Sequence, residues 1–151
     1  MEANRENVKR SLEQQWKDWE YYWKTKEEVG HDFVVRPREL TDNLEGCMVY
    51  VQLQAGYPHE VGFGHWCYVV RDLNSKLFVI PSTHCSDKEP NQFDYDIVSI
   101  DENNQPIMSR LKLTDAKWVD SQRLDARREV LKVLTRSQYI LEKFHKTLGG
   151  K

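Results

Sequence analysis

Hydrophobic and polar positions follow two different periods along this chain. In residues 4 to 28 there is no proline and no glycine, and Leu12, Trp16, Trp19 and Trp23 recur at spacings of four, three and four, the stripe of an amphipathic helix. Glu13, Lys17, Asp18, Glu20 and Lys24 occupy the other positions, partly at the i,i+4 spacing that pairs charges on a helix. A stripe of three tryptophans is expected to be covered, by the rest of the chain in preference to a second subunit. Gly30 and Pro37 end this pattern, so residues 30–43 read as a connector.

Beyond the connector the period shortens. Residues 48–53, 66–73, 77–81, 95–100 and 107–113, with 116–119 as a shorter sixth, are runs of Val, Ile and aromatics bounded by Gly, Pro, Asn and Asp. They lie too close together for crossover helices, which predicts an antiparallel sheet curling into a small barrel. Two connections exceed ordinary turns: 54–64, which carries His59 and Glu60, and 82–94, which opens on Ser82, Thr83, His84, Cys85 and Ser86. Long loops beside a rigid sheet are where binding and catalysis concentrate. Residues 120–146 again lack proline and glycine; Val130, Leu134, Leu141, Phe144 and Leu148 fit helical spacing, with Arg123, Arg127, Arg128, Lys132 and Arg136 on another side. The expected fold class is α+β: a small antiparallel barrel flanked by an N-terminal and a C-terminal helix.

Composition narrows the function classes. At 151 residues, 39% apolar and 30% charged, with five Trp, seven Tyr and five Phe, the chain suits one folded domain and not a disordered segment. No run approaches the roughly twenty apolar residues that span a bilayer, and the first thirty residues show no signal peptide, so the expectation is a cytoplasmic protein with no membrane contact. The net charge is −2, but residues 109–151 hold eleven basic against five acidic groups while 31–108 hold five against twelve. A nucleic-acid binder needs such asymmetry on one face, and a solvated helix produces it as well. Cys47, Cys67 and Cys85 form no Cys-x-x-Cys pair and read as buried thiols. A metal centre built from His65, Cys67, His84 and Cys85 lacks the turn-spaced pairs usual for zinc, so neither metal nor cofactor is expected.

Five blocks in order carry a more specific signal: Gly46 to Val51; His59 to Val70, containing Glu60-Val61-Gly62 and His65-Trp66; Val79-Ile80-Pro81-Ser82-Thr83; Ser109 to Leu113; and Val119 to Leu124. Together they resemble the PemK/MazF family of toxin endoribonucleases over residues 45–148, with residues 1–30 an N-terminal helical extension. The resemblance implies an SH3-like barrel, commonly a homodimer, that cuts single-stranded RNA without a metal and is held in check by a protein antitoxin. In that chemistry the ribose 2′-hydroxyl attacks its own phosphate, leaving a cyclic phosphate and a 5′-hydroxyl. The reaction needs a base, an acid for the departing oxygen, and a donor to the charge growing on the phosphate.

His65 stands where the family usually has an Arg followed by Pro. An imidazole titrating near neutrality carries protons better than a guanidinium, but it gives up a fixed positive charge. The resemblance makes Thr83 the hydroxyl donor to the scissile phosphate, so His65 and Thr83 are the expected catalytic pair; the plainer readings are a neutral barrel histidine hydrogen-bonded to backbone for His65 and a polar turn after Pro81 for Ser82-Thr83-His84. Arg110, His84 and His59 are the nearest sources of positive charge; Glu60 organises its loop; Ser82 flanks the donor. Trp66, Tyr57 and Phe63, in or beside the first loop, either meet bases or plug the barrel end, and Asp120 with Arg123 reads as a helix cap and ion pair. The other reading is a non-catalytic barrel of the same type, phage or mobile-element derived, that binds RNA or a protein.

Overall fold

The computed structural model describes residues 5–6, 9–10, 12–17, 19–20, 24, 40, 42–53 and 59–149. Trp23, the connector's Gly30 and Pro37, and loop residue Tyr57 lie outside the described residues. Seven strands follow in chain order: β1 (Cys47–Gln52), β2 (Gly64–Asp72), β3 (Lys76–His84), β4 (Asp94–Ile100), β5 (Pro106–Lys112), β6 (Lys117–Asp120) and β7 (Leu131–Val133), then a C-terminal helix (Ser137–Thr147). The sheet order is β2-β1-β7-β4-β5-β3-β6, and β2 also pairs with β3. Six strands therefore close into an antiparallel barrel, and β6 continues β3 outside the ring.

Alternation along β1, β2 and β3 sends side chains to two buried layers. Met48, Tyr68 and Ile80 meet Ile97, Leu111 and Leu131 from the other barrel strands, which makes this layer the barrel interior, and Ile140 of the C-terminal helix joins it. Val49, Val51, Cys67, Val69, Leu77 and Val79 face the other way and are covered by Leu40, Leu44 and Leu124. Each fully buried aliphatic side chain contributes about 1.5–3 kcal/mol, so strands with both faces covered make the rigid part of the domain.

Two expectations need correction. Residues 120–146 are not one helix: a 3-10 turn (Ser121–Arg123) leads into β7, and the α-helix starts only at Ser137. Strand β7 fills the gap between β1 (Met48 opposite Leu131) and β4 (Ser99 opposite Val133); closing the barrel satisfies two open edges, and that outweighs local helical spacing. Nor does β3 stop at Pro81. Ser82, Thr83 and His84 continue the strand and pair with Leu111, Arg110 and Ser109 of β5, so they are sheet residues and not the start of a loop. On this edge β6 pairs with 76–79 and β5 with 82–84. Pro81, which has no N–H to donate, falls in the gap between them.

The described positions from 5 to 24 are helical, as the stripe predicts. Among the described residues, however, the expected cover by the rest of the chain is not found. Leu12, Trp16 and Trp19 are each more than half exposed, and Trp16 stacks on Trp19 with ring centroids 5.5 Å apart. No helix among the described residues is long and apolar enough to cross a membrane.

Candidate functional site

Strand β3 carries Thr83, and β2 carries His65 two residues before its first paired position with β3. Cys67 lies opposite Pro81 in the β2–β3 register; continuing that register by two residues sets His65 across from Thr83. Thr83 is in turn opposite Arg110 of β5, and Arg110 opposite Asp96 of β4. Directly opposed residues share a face, so Thr83, Arg110 and Asp96 form one row across three strands, which the extended register continues to His65 of β2. The half-buried His65 and Thr83 occupy one end of it.

The His65 ring is fixed by the backbone. Its Nδ1 lies 2.9 Å from the Ser82 carbonyl oxygen. A carbonyl only accepts, so Nδ1 carries the proton and the neutral ring keeps its lone pair on Nε2. Burial lowers the His65 pKa below the usual imidazole value; the Ser82 bond opposes this, the charge of His84 adds to the lowering, and a backbone bond with Gly62 opposes it again. The net effect holds the imidazole neutral near pH 7. The Ser82 hydroxyl, almost wholly buried, donates to the Trp66 carbonyl at 2.7 Å.

Arg110 is committed at the far end of the row. Its Nε donates to Asp96 Oδ1 at 2.7 Å, Nη2 to Asp96 Oδ2 at 3.1 Å and to the Lys88 carbonyl at 2.8 Å, and Nη1 to Ser86 Oγ at 3.1 Å. The hydrogen bond from Arg110 is the main reason the Asp96 carboxyl sits below the usual range, and Asp96 raises Arg110 in return. The guanidinium thus clasps the 85–93 loop to the barrel, with its charge balanced by Asp96. Sequence reasoning missed Asp96, whose only signal is its place in the alternation of β4.

The remaining candidates lie off this row. Trp66 points with Tyr50, directly opposite on β1, toward the interior layer; the rings meet edge to face at 5.5 Å. Arg128, expected on a helix, covers the Tyr50 ring at 4.8 Å. Gly64 allows this packing: a Cβ there would come 2.6 Å from the Tyr50 hydroxyl oxygen. His84 is exposed on the opposite side of β3 from Thr83, while His59 and Glu60 are exposed in the turn before β2. Phe63 is partly buried in that same approach, with a left-handed backbone (φ 64°). Asp120 caps the Gln122 N–H at 2.8 Å, and the Arg123 guanidinium reaches the Gln52 carbonyl at 3.2 Å.

Among the described residues, no group of three or more His, Cys, Asp and Glu comes together to hold a metal. All three cysteines are free. Burial pushes the Cys67 thiol up, and burial with the nearby Asp96 pushes up Cys85, which disfavours thiolate chemistry at either.

Neither a protein-family model nor a curated protein matches the chain.

Proposed function

We propose that this barrel is a metal-independent endoribonuclease for single-stranded RNA, of SH3-like and PemK/MazF-like type. The observation that carries the reading is the bond from the His65 ring to the carbonyl of Ser82, the residue before the half-buried Thr83, which leaves the neutral imidazole its lone pair on Nε2. His65 takes the proton from the attacking ribose 2′-hydroxyl, and the imidazolium so formed supplies positive charge to the phosphate as the bond to the 5′ oxygen breaks. Thr83 donates to the non-bridging oxygen on which charge accumulates. The leaving 5′ oxygen takes its proton from water, since His84 lies on the other side of β3 from Thr83. Toxin activity, a homodimer, a protein antitoxin and a cytoplasmic setting belong to the same proposal.

The second reading, a non-catalytic barrel that binds RNA or protein, is favoured by one observation: Asp96 already balances Arg110, so the row offers no free guanidinium for phosphate. The deciding experiment is incubation of purified protein with single-stranded RNA in excess chelator. The nuclease reading expects fragments ending in 2′,3′-cyclic phosphate and 5′-hydroxyl, and no cut where the scissile ribose is 2′-deoxy. Intact RNA at high protein concentration refutes it.

A further inference from the structure

Backbone pairing between β2 and β3 ends at Cys67 opposite Pro81. The next rung would join Trp66 and Ser82. There the Ser82 hydroxyl, in a residue only 4% exposed, donates to the Trp66 carbonyl at 2.7 Å. The Ser82 carbonyl accepts from His65 Nδ1 at 2.9 Å. One residue therefore holds β2 twice, by its side chain one position before the paired region and by its backbone two positions before it. A buried hydroxyl with a single good acceptor has no cheaper place to put its proton, so the first bond fixes how far β3 stands from β2. That spacing decides whether the carbonyl stays within reach of the imidazole.

We infer that Ser82 is a positioning residue: its hydroxyl, bonded to the Trp66 carbonyl, sets its own carbonyl against His65 Nδ1 and so selects the imidazole tautomer that leaves Nε2 free to accept a proton. This places Ser82 behind the reacting groups and not against the RNA. The inference rests on the reading of His65 as the base for its catalytic meaning, whereas the tautomer itself is observable without any RNA.

The test is ¹⁵N NMR of the histidine ring in the full chain, wild type and variant. The wild-type protein is expected to show the neutral His65 ring protonated at Nδ1; a ring protonated at Nε2 overturns the inference with no variant needed. In Ser82→Ala the two tautomers are expected to mix, with kcat down about tenfold, the worth of one ordinary hydrogen bond, and KM nearly unchanged. Ser82→Thr, which keeps the hydroxyl, is expected to retain the Nδ1–H form and most of kcat. A Ser82→Ala protein that keeps the pure Nδ1–H ring, or a Ser82→Thr protein that loses it equally, overturns the inference. If His65→Ala cleaves RNA as wild type does, the catalytic reading fails while the NMR comparison still decides what Ser82 does to the ring.

Discussion

Replacing Asp125 with asparagine tests the buried clasp that fastens the 121–128 segment to the end of β1. Asp125 is 1% exposed. Its Oδ1 accepts from the Arg127 backbone N–H at 3.0 Å and from Arg127 Nε at 2.9 Å; its Oδ2 accepts from Gln52 Nε2 at 3.0 Å and pairs with Arg127 Nη2. Its own N–H donates to the Tyr50 carbonyl at 2.9 Å. Burial alone would raise the carboxyl, but the bonds and charge from Arg127, helped by Gln52, outweigh it and hold the pKa below the usual value. In Asp125→Asn an amide N–H replaces Oδ2 and faces two donors. Charge-assisted bonds are worth about 1.5–3 kcal/mol each, but Arg127 is 37% exposed and water resolvates it, so the net loss is discounted to about 2 kcal/mol. For a domain of this size that is a fall in Tm of about 4–8 °C at pH 7. A depressed carboxylate stabilises fully above its unfolded pKa and loses that contribution as pH falls through its folded one, so the gap between wild type and variant should narrow steadily below about pH 4. Thermal melts at several pH values measure it. A gap under about 1 °C at pH 7, or one that stays constant into acid, refutes the reasoning.

Other outcomes follow from single features. Phe63→Gly relieves a left-handed backbone at a bulky residue and should leave the protein as stable as wild type or up to about 1 kcal/mol more so; a clear loss in urea unfolding would show that the side chain's packing outweighs the strain. Leu131→Ala, at a residue 3% exposed in the strand that closes the barrel, should cost about 2–4 kcal/mol by the same method, and a loss below 1 would mean β7 does not seal the core. Because burial lowers the His65 pKa, the acid limb of kcat/KM should fall below pH 6.5, with the rate rising through it and then level. An acid limb above pH 7 contradicts that assignment of the base.

Most of the barrel is legible in the sequence because β1 to β6 alternate, or run apolar, between strong turn residues. Their expected and observed limits differ mainly at the ends. Strand β7 is not legible: residues 130–134 fit a helix as well as a strand, and only the open edges of β1 and β4, far away in sequence, decide between them. The polar run Ser82-Thr83-His84 reads as a loop for a related reason, since its place in β3 depends on pairing with β5. Of the site, His65 and Thr83 come from ordered motifs, and the bond of the His65 ring to the Ser82 carbonyl comes only from the fold. The Arg110–Asp96 clasp and the Arg128–Tyr50–Trp66 cluster are products of tertiary proximity that no spacing in the sequence encodes.

Cleavage of a single-stranded RNA by His65→Ala and Thr83→Ala, each checked for an unchanged fold and assayed in chelator beside wild type, tests the central claim most directly. An acid–base group and a transition-state donor working on the same phosphate should each cost about a hundredfold or more in kcat/KM. Wild-type rates in either variant would contradict the account.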